Sequence, residues 1–247
     1  MAVCEVFRLG MIPFGAARQM QEKLAEEVAS GARPEALLLL EHPPTFTFGR
    51  RGRPEHLLWD SAECARRGVE VVWTDRGGDV TFHGPGQLVG YPILSLGRPQ
   101  SSQPIPRADY VGYVRRIEAC LIGCLAHLGL ASGQVRGRTG VWIQPEIASR
   151  CPACPPAARK LPSKVASIGV KIDSRGITRH GFSLNVDPDM SYWEGIVACG
   201  LPDSPAIALA DVLQPAPDLA AVADSLVESF GSVFGFQMID GQMPSAP

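Results

Sequence analysis

The chain has 247 residues, 45% hydrophobic and 19% charged, with a formal net charge of −2 at neutral pH. It is long enough to bury a sizeable core and too apolar for a disordered segment, and it carries no global charge that would draw it to nucleic acid or a membrane surface. No apolar run exceeds residues 36–40, no signal or transit pattern opens the chain, and seven scattered cysteines suit free thiols in a reducing cytoplasm better than a disulfide framework. We therefore expect a cytoplasmic, monomeric globular protein forming one domain over residues 1–247.

In chain order, residues 3–9 read as a strand. Residues 14–29 read as a helix, with Met20, Leu24 and Val28 on one face and Gly31 as the stop. Residues 36–41 form a continuous apolar run expected of a buried strand, and T-F-T-F at 45–48 alternates as a half-buried one. Arg50, Arg51 and Arg53 cluster in a Gly/Pro loop; Asp60 and Glu63 have the spacing of a capping box for a short helix ending at Gly68.

Residues 75–94, D-R-G-G-D-V-T-F-H-G-P-G-Q-L-V-G-Y-P-I-L, cannot be a helix interior, where each Gly costs about 0.5–1 kcal/mol and Pro about 3. With V-E-V-V-W before and Q-L-V-G-Y-P-I-L after, the expectation is two strands carrying a Gly-rich turn that exposes Arg76, Asp79, Thr81 and His83. Glycine permits close backbone approach to a ligand. The glycine spacing fails the dinucleotide fingerprint, and no helix follows.

Residues 95–107 are a Pro/Ser/Gln-rich loop. The longest helix is expected over 108–128, with Val111, Val114, Ile117, Leu121, Leu125 and Leu128 on its buried stripe, Cys120 and Cys124 beside it. Residues 140–144 and 164–172 read as consecutive strands around a proline-rich insertion at 145–163; residues 177–186 complete a hairpin after D-S-R-G. A short helical segment at 191–198 leads to Cys199-Gly200. Helices follow at 207–213 and 218–230, the second N-capped by Asp218, then a strand at 236–239. The fold class is α/β of the α+β type: a mixed, mostly antiparallel sheet flanked by helices.

Cys199, at a turn before a glycine, is a candidate nucleophile. A neighbouring cation would favour its thiolate, and Lys164, His83 and His180 are the candidates. The thiol and the lysine have plainer explanations, a small buried cysteine and a sheet-edge lysine. The C-P-A-C at 151–154 supplies two of the four ligands that structural zinc needs and lacks a thioredoxin-like strand-to-helix setting, so neither metal nor redox chemistry is expected there. The insertion receives no function from the sequence.

R-G-G-D-V-T-F-H-G-P-G-Q, T-G-V-W-I, K-V-A-S-I-G-V-K-I, T-R-H-G-F-S-L-N-V and A-C-G, in that order, with T-F-T-F-G-R-R-G and E-H-L-L earlier, resemble the lipoyl(octanoyl) transferase family. The resemblance implies the fold of biotin and lipoate ligase catalytic domains. It also implies transfer of an octanoyl group from acyl carrier protein to a lysine of lipoyl domains of 2-oxoacid dehydrogenases and of the glycine cleavage H protein. By motif position Cys199 is the implied acyl-accepting nucleophile and Lys164 its activating partner. Arg76, Gly77, Gly78, Asp79, Val80, Thr81, Phe82, His83, Ser167, Ile168, Gly169, His180, Gly181, Phe182 and Ser183 are the implied lining of the acyl and carbonyl site. No cofactor is implied, since phosphopantetheine arrives on the carrier. Ala198 stands where the family has Pro, and Ser183 where it has Ala. The competing expectations are an ATP-dependent ligase on the same fold, although no G-x-x-x-x-G-K-[ST] occurs, and a non-catalytic carrier or lipoyl-domain binder.

Overall fold

A computed structural model describes residues 2–97, 109–151, 154–200 and 204–242, with Cys199 described by its backbone alone. An eight-stranded sheet is ordered β11-β1-β2-β6-β10-β9-β8-β7 and a smaller one β4-β3-β5. The large sheet comprises β1 (Ala2–Met11), β2 (Glu35–Glu41), β6 (Gln87–Ile93), β7 (Gly133–Val135), β8 (Arg138–Ile143), β9 (Ser163–Ile172), β10 (Thr178–Asn185) and β11 (Phe236–Asp240). Pairing is parallel for β11-β1 and β1-β2 and antiparallel from β2 to β7, the mixed, mostly antiparallel sheet expected.

Side-chain alternation along the strands divides the core. On β2, Leu37 and Leu39 join the cluster under α3 (Tyr110–His127) and α6 (Leu219–Phe234), whereas Ala36, Leu38 and Leu40 pack with Leu24 and Val28 of α1 (Phe14–Ser30) on the opposite face. α1 ends as its sequence dictates: Gly31 adopts φ 77° and its N–H donates to the Val28 carbonyl. Asp109 caps α3 by accepting from the Gly112 N–H at 2.7 Å, and Asp218 caps α6 through the Ala221 N–H.

Several local expectations are corrected. Val111 is 72% exposed and lies off the buried stripe of α3, which runs through Tyr113, Ile117, Cys120, Leu121, Cys124 and Leu125. The box at α2 (Ser61–Arg66) is half formed: Asp60 accepts from the Glu63 N–H, but Arg66 and Arg67 hold the Glu63 carboxylate. Residues 207–213 contain only a four-residue helix, α5 (Leu209–Val212), and the insertion begins with another, α4 (Pro145–Ala148). The 95–107 loop lies outside the described residues beyond Gly97.

Residues 70–94 hold three strands rather than two around one turn. β4 (Glu70–Trp73) and β5 (Val80–His83) flank β3 (Thr45–Phe48) in the small sheet, and β6 crosses into the large one. The glycine-rich stretch therefore links two sheets, and a cleft opens where they meet.

Candidate active site

The cleft is a cavity of about 470 Å³. β3 and β5 show how alternation builds its wall. Phe46, Phe48, Val80 and Phe82 turn into an aromatic cluster with Trp59 and Tyr192, while Thr47, Thr81 and His83 occupy the opposite face. Of the residues the sequence singled out, Arg76, Gly78, Asp79, Thr81, His83, Lys164, Ser167, Ile168, Gly169, His180, Gly181, Phe182 and Ser183 line the cavity. Val80 and Phe82 belong to the aromatic cluster instead, and Gly77 is held by its N–H, which donates to the Val170 carbonyl at 2.9 Å.

The expected exposure of the glycine stretch is also corrected. Arg76, Thr81 and His83 are each at most 7% exposed. Arg76 donates to the carbonyl and hydroxyl oxygens of Thr47 and to the Gly77 carbonyl. Neighbouring donors fix the His83 tautomer. Gln87 gives its amide hydrogens to Phe82 and Asn185, so its oxygen accepts from His83 Nδ1–H at 2.8 Å. Thr47, whose hydroxyl accepts from Arg76, then donates toward His83 Nε2 at 3.4 Å. Burial, reinforced by His42, pulls the His83 pKa well below its ordinary value. His42 is drawn down to about 4 by burial and sits between the Ile12 carbonyl and the Tyr91 hydroxyl. Thr81 Oγ1 is buried at the cavity wall with no hydrogen-bond partner among the described residues.

His180 is the sole non-glycine among the described residues with positive φ, 56°. Its N–H donates to Gln21, and its ring donates from Nε2 to Asp75 at 2.7 Å. Burial lowers the ring's pKa and outweighs Asp75, while the His180 hydrogen bond holds Asp75 far below the usual carboxylate range.

Lys164, the second residue of β9, is 8% exposed and lines the cavity with its Nζ 4.7 Å from the centroid of the Trp142 ring. Its main chain is braced on the other side: its N–H donates to the Pro205 carbonyl at 2.8 Å, and its carbonyl accepts from Ile207 at 3.0 Å. Gly140, at φ +119°, makes room for it; a Cβ there would stand 2.6 Å from the Ala166 carbonyl and 3.4 Å from Lys164 Cε. The Gly140 N–H is tied to Glu118, a fully buried carboxylate on α3 that also accepts from Arg115 and Gln134.

Cys199 lies in the 3-10 turn Ala198–Gly200, and its side chain is outside the described part. Gly200, the next residue, lines the same cavity as Lys164, close against Asp79 and His56, themselves paired at 2.5 Å between Oδ2 and Nδ1. The two candidate residues, far apart in sequence, thus border one cavity through Lys164 and through the neighbour of Cys199.

β9 has a gap in its pairing here. β8 follows it only as far as Ala166, and Gly77 resumes bonding at Val170, so among the described residues Ser167–Gly169 have no strand neighbour on that side. The reading missed Phe14 and Tyr91, which line the cavity from α1 and β6, and His56, Arg138 and Thr139. Phe14 reads as a core residue of α1; its stacking on His83, 6.3 Å between centroids, has no sequence signal. Among the described residues no group of three or more His, Cys, Asp or Glu side chains could hold a metal, and no helix is long and apolar enough to cross a membrane.

The fold is that of a catalytic domain with its site between two sheets, and the family described as the lipoyl protein ligase A/B catalytic domain matches residues 15–231. The chain belongs to that family, on its octanoyltransferase branch. An octanoyltransferase of Chloroflexus aggregans is 43% identical over 97% of this chain and 99% of its own, and one of Chloroflexus aurantiacus is 44% identical over 96% of each. Among solved structures, a bi-partite lipoate protein ligase of Thermoplasma acidophilum superposes with a TM-score of 0.69 over 99% of this chain and 89% of its own. At 13% identity that shows a shared fold.

Proposed function

We propose that this cavity transfers an octanoyl group from acyl carrier protein to the lysine of a lipoyl domain, through a thioester on Cys199 with Lys164 as its activating partner. The assignment to octanoyl transfer over ATP-dependent ligation rests on the full-length octanoyltransferase relatives, since the ligase likeness reaches only the fold. The observation that carries the mechanism is the placement of Lys164: nearly buried, beside Trp142, on the cavity that Gly200 also borders.

The Cys199 thiolate attacks the thioester carbonyl; a carbon–sulfur bond forms, and the carrier's phosphopantetheine leaves as a thiolate that takes up a proton. The amine of the target lysine then attacks the acyl-enzyme, Cys199 departs, and the amine proton is lost. The first step exchanges thioester for thioester and is nearly balanced; the second makes an amide and runs downhill. Lys164 serves the first step as an ammonium beside the thiolate, or as a neutral base accepting its proton.

The gap in β9 supports Ser167–Gly169 as the oxyanion donors, since among the described residues no strand pairs with that edge there. Gly77 is excluded from that role by its bond to Val170. Thr81 Oγ1, without a partner among the described residues, faces the same space. Phe14, Tyr91, Ile168 and Phe182 supply apolar wall for the acyl chain, worth about 0.8 kcal/mol per buried methylene. Arg51 and Arg53 at the mouth present positive charge to the acidic carrier.

Incubation with octanoyl-acyl carrier protein should leave a hydroxylamine-labile octanoyl adduct on Cys199, seen by intact and peptide mass, and absent in Cys199→Ala. Full turnover by Cys199→Ala would rule the mechanism out.

A further inference from the structure

The proposed chemistry makes no use of the insertion, yet its two cysteines are placed together. Cys151 Sγ and Cys154 Sγ donate to one acceptor, the Asp211 carbonyl, at 2.9 and 3.3 Å. The Cys154 N–H also bonds the Cys151 carbonyl at 3.3 Å, an i to i+3 closure that holds the two Cα atoms within about 7 Å. Disulfides span about 4.4–6.8 Å between Cα atoms, so the pair needs little backbone movement to join. Their surroundings differ. Cys154 is 2% exposed and packs in the main core; Cys151 is half-buried and reachable from solvent.

The acceptor they share is not a neutral spot. Asp211 lies in α5, and its carboxylate accepts from the Ala208 N–H at 2.9 Å. The strand-like segment just before α5 is the one whose Pro205 and Ile207 clamp the main chain of Lys164, and whose Ser204 accepts from Arg138 at 2.6 Å. The thiols therefore pin the far end of the Lys164 brace to the insertion.

We propose that Cys151 and Cys154 are a dithiol site that exchanges with low-molecular-weight disulfides to form an intramolecular disulfide, and that this change reaches Lys164 through residues 204–213. The accessible Cys151, as thiolate, attacks one sulfur of the reagent and expels its other half as a thiolate, which takes up a proton. The Cys154 thiolate then attacks the Cys151 sulfur of the mixed disulfide; the 151–154 bond forms and the second reagent thiol leaves. Two protein thiols are oxidised and one reagent disulfide is reduced to two thiols. Burial, with Cys151 adding to it, raises the Cys154 thiol to about 12, which fits its role as the second, resolving sulfur. Oxidation removes both S–H donors from the Asp211 carbonyl, releasing α5 from the insertion.

The test uses the full chain at graded ratios of oxidised to reduced glutathione. Arg150 and Arg159 bracket C-P-A-C-P-P-A-A-R, so trypsin delivers both cysteines in one peptide. The expected result is that this peptide loses two hydrogens as the buffer becomes oxidising and regains them with dithiothreitol. Octanoyl transfer in the same samples, which rests on the function proposed above, should fall several-fold and recover. The double variant Cys151→Ser with Cys154→Ser should lose clearly less rate than wild type, any loss common to both being glutathione on Cys199, read from its own peptide mass. Should that variant fail to fold, Cys154→Ser alone should stop at a Cys151–glutathione mixed disulfide. An unmodified peptide, or only glutathione adducts in the wild type at saturating oxidised glutathione, overturns the site. A cross-link with unchanged rate, or a rate loss equal in wild type and double variant, overturns its connection to Lys164. The peptide mass does not depend on acyl transfer, so failure of the assigned reaction is distinguishable from failure of the dithiol.

Discussion

The floor and the rim of the cavity are built on opposite electrostatic plans. On the floor, buried ionisable side chains are each held by hydrogen bonds: Arg76 to Thr47, His83 to Gln87, His42 to Tyr91, His180 to the half-exposed Asp75. On the rim, Arg51 and Arg53 are exposed, and among the described residues neither has a carboxylate within ion-pair reach. Elsewhere several surface arginines are paired, Arg8 with Asp224 and Asp240, Arg66 with Glu63, and Arg175 with Glu26 and Asp173, whereas Arg136 and Arg150, exposed and not lining the cavity, have no ion pair among the described residues. The difference separates two tasks. A floor with fixed tautomers and little free charge suits chemistry on an uncharged thioester, and a rim of uncompensated cations suits an acidic partner that comes and goes.

Substitutions at the reacting end of the floor should have the largest effect. Cys199→Ala and Lys164→Met should each lower single-turnover acylation by about a thousandfold or more while leaving the thermal midpoint within a few degrees. Unchanged kcat in Lys164→Met would remove the lysine from the mechanism. Gly181→Ala strikes the floor's backbone instead. The new Cβ would sit 2.0 Å from the Gly90 carbonyl, so urea unfolding should show a loss of about 3 kcal/mol or more.

Acid separates floor from rim by stability. A histidine whose folded pKa lies below its unfolded value near 6.5 stabilises the fold above that value, and the contribution is lost as pH falls toward the folded pKa. For His42, held near 4, the loss is about 3 kcal/mol between pH 6.5 and 4, with His83 and His180 adding in the same direction. The unfolding free energy should therefore drop across that window, and in His42→Gln the slope should be visibly shallower. Identical slopes would mean the buried imidazoles are not neutral.

The rim should give the smallest change, and of another kind. Arg51→Glu with Arg53→Glu should raise KM for the acyl carrier about tenfold, leave kcat and stability alone, and remove most of the salt dependence of wild-type KM. A fall in kcat at constant KM would place these arginines in the chemistry.

Much of this was legible in the chain because local rules and tertiary context agree. T-F-T-F alternates as a strand with one aromatic and one polar face; Asp109 and Asp218 are caps; K-V-A-S-I-G begins with the lysine that meets the cavity. The glycine stretch misled because turn residues signal a bend without saying which sheet each flank joins, so β5 and a crossing between two sheets read as a single turn between two strands. Val111 misled because helical spacing fixes a face only to within a turn. Phe14, Tyr91 and Glu118 were invisible as site residues: an apolar helix start, a tyrosine in a strand and a glutamate inside a helix have ordinary local explanations. The C-P-A-C was judged by the context of its neighbours in sequence, whereas its partner, Asp211, is nearly sixty residues away.

The wall at Gly181 sets a limit on how the enzyme can be retuned. Main chain there abuts main chain, and no mutation can trim a backbone or graft a methyl onto it without breaking the sheet. With the acyl chain seated as proposed, any drift toward longer or shorter donors is channelled to the replaceable side chains of its apolar wall, Phe14, Tyr91, Ile168 and Phe182. A library aimed at a new donor length can be confined to those four codons.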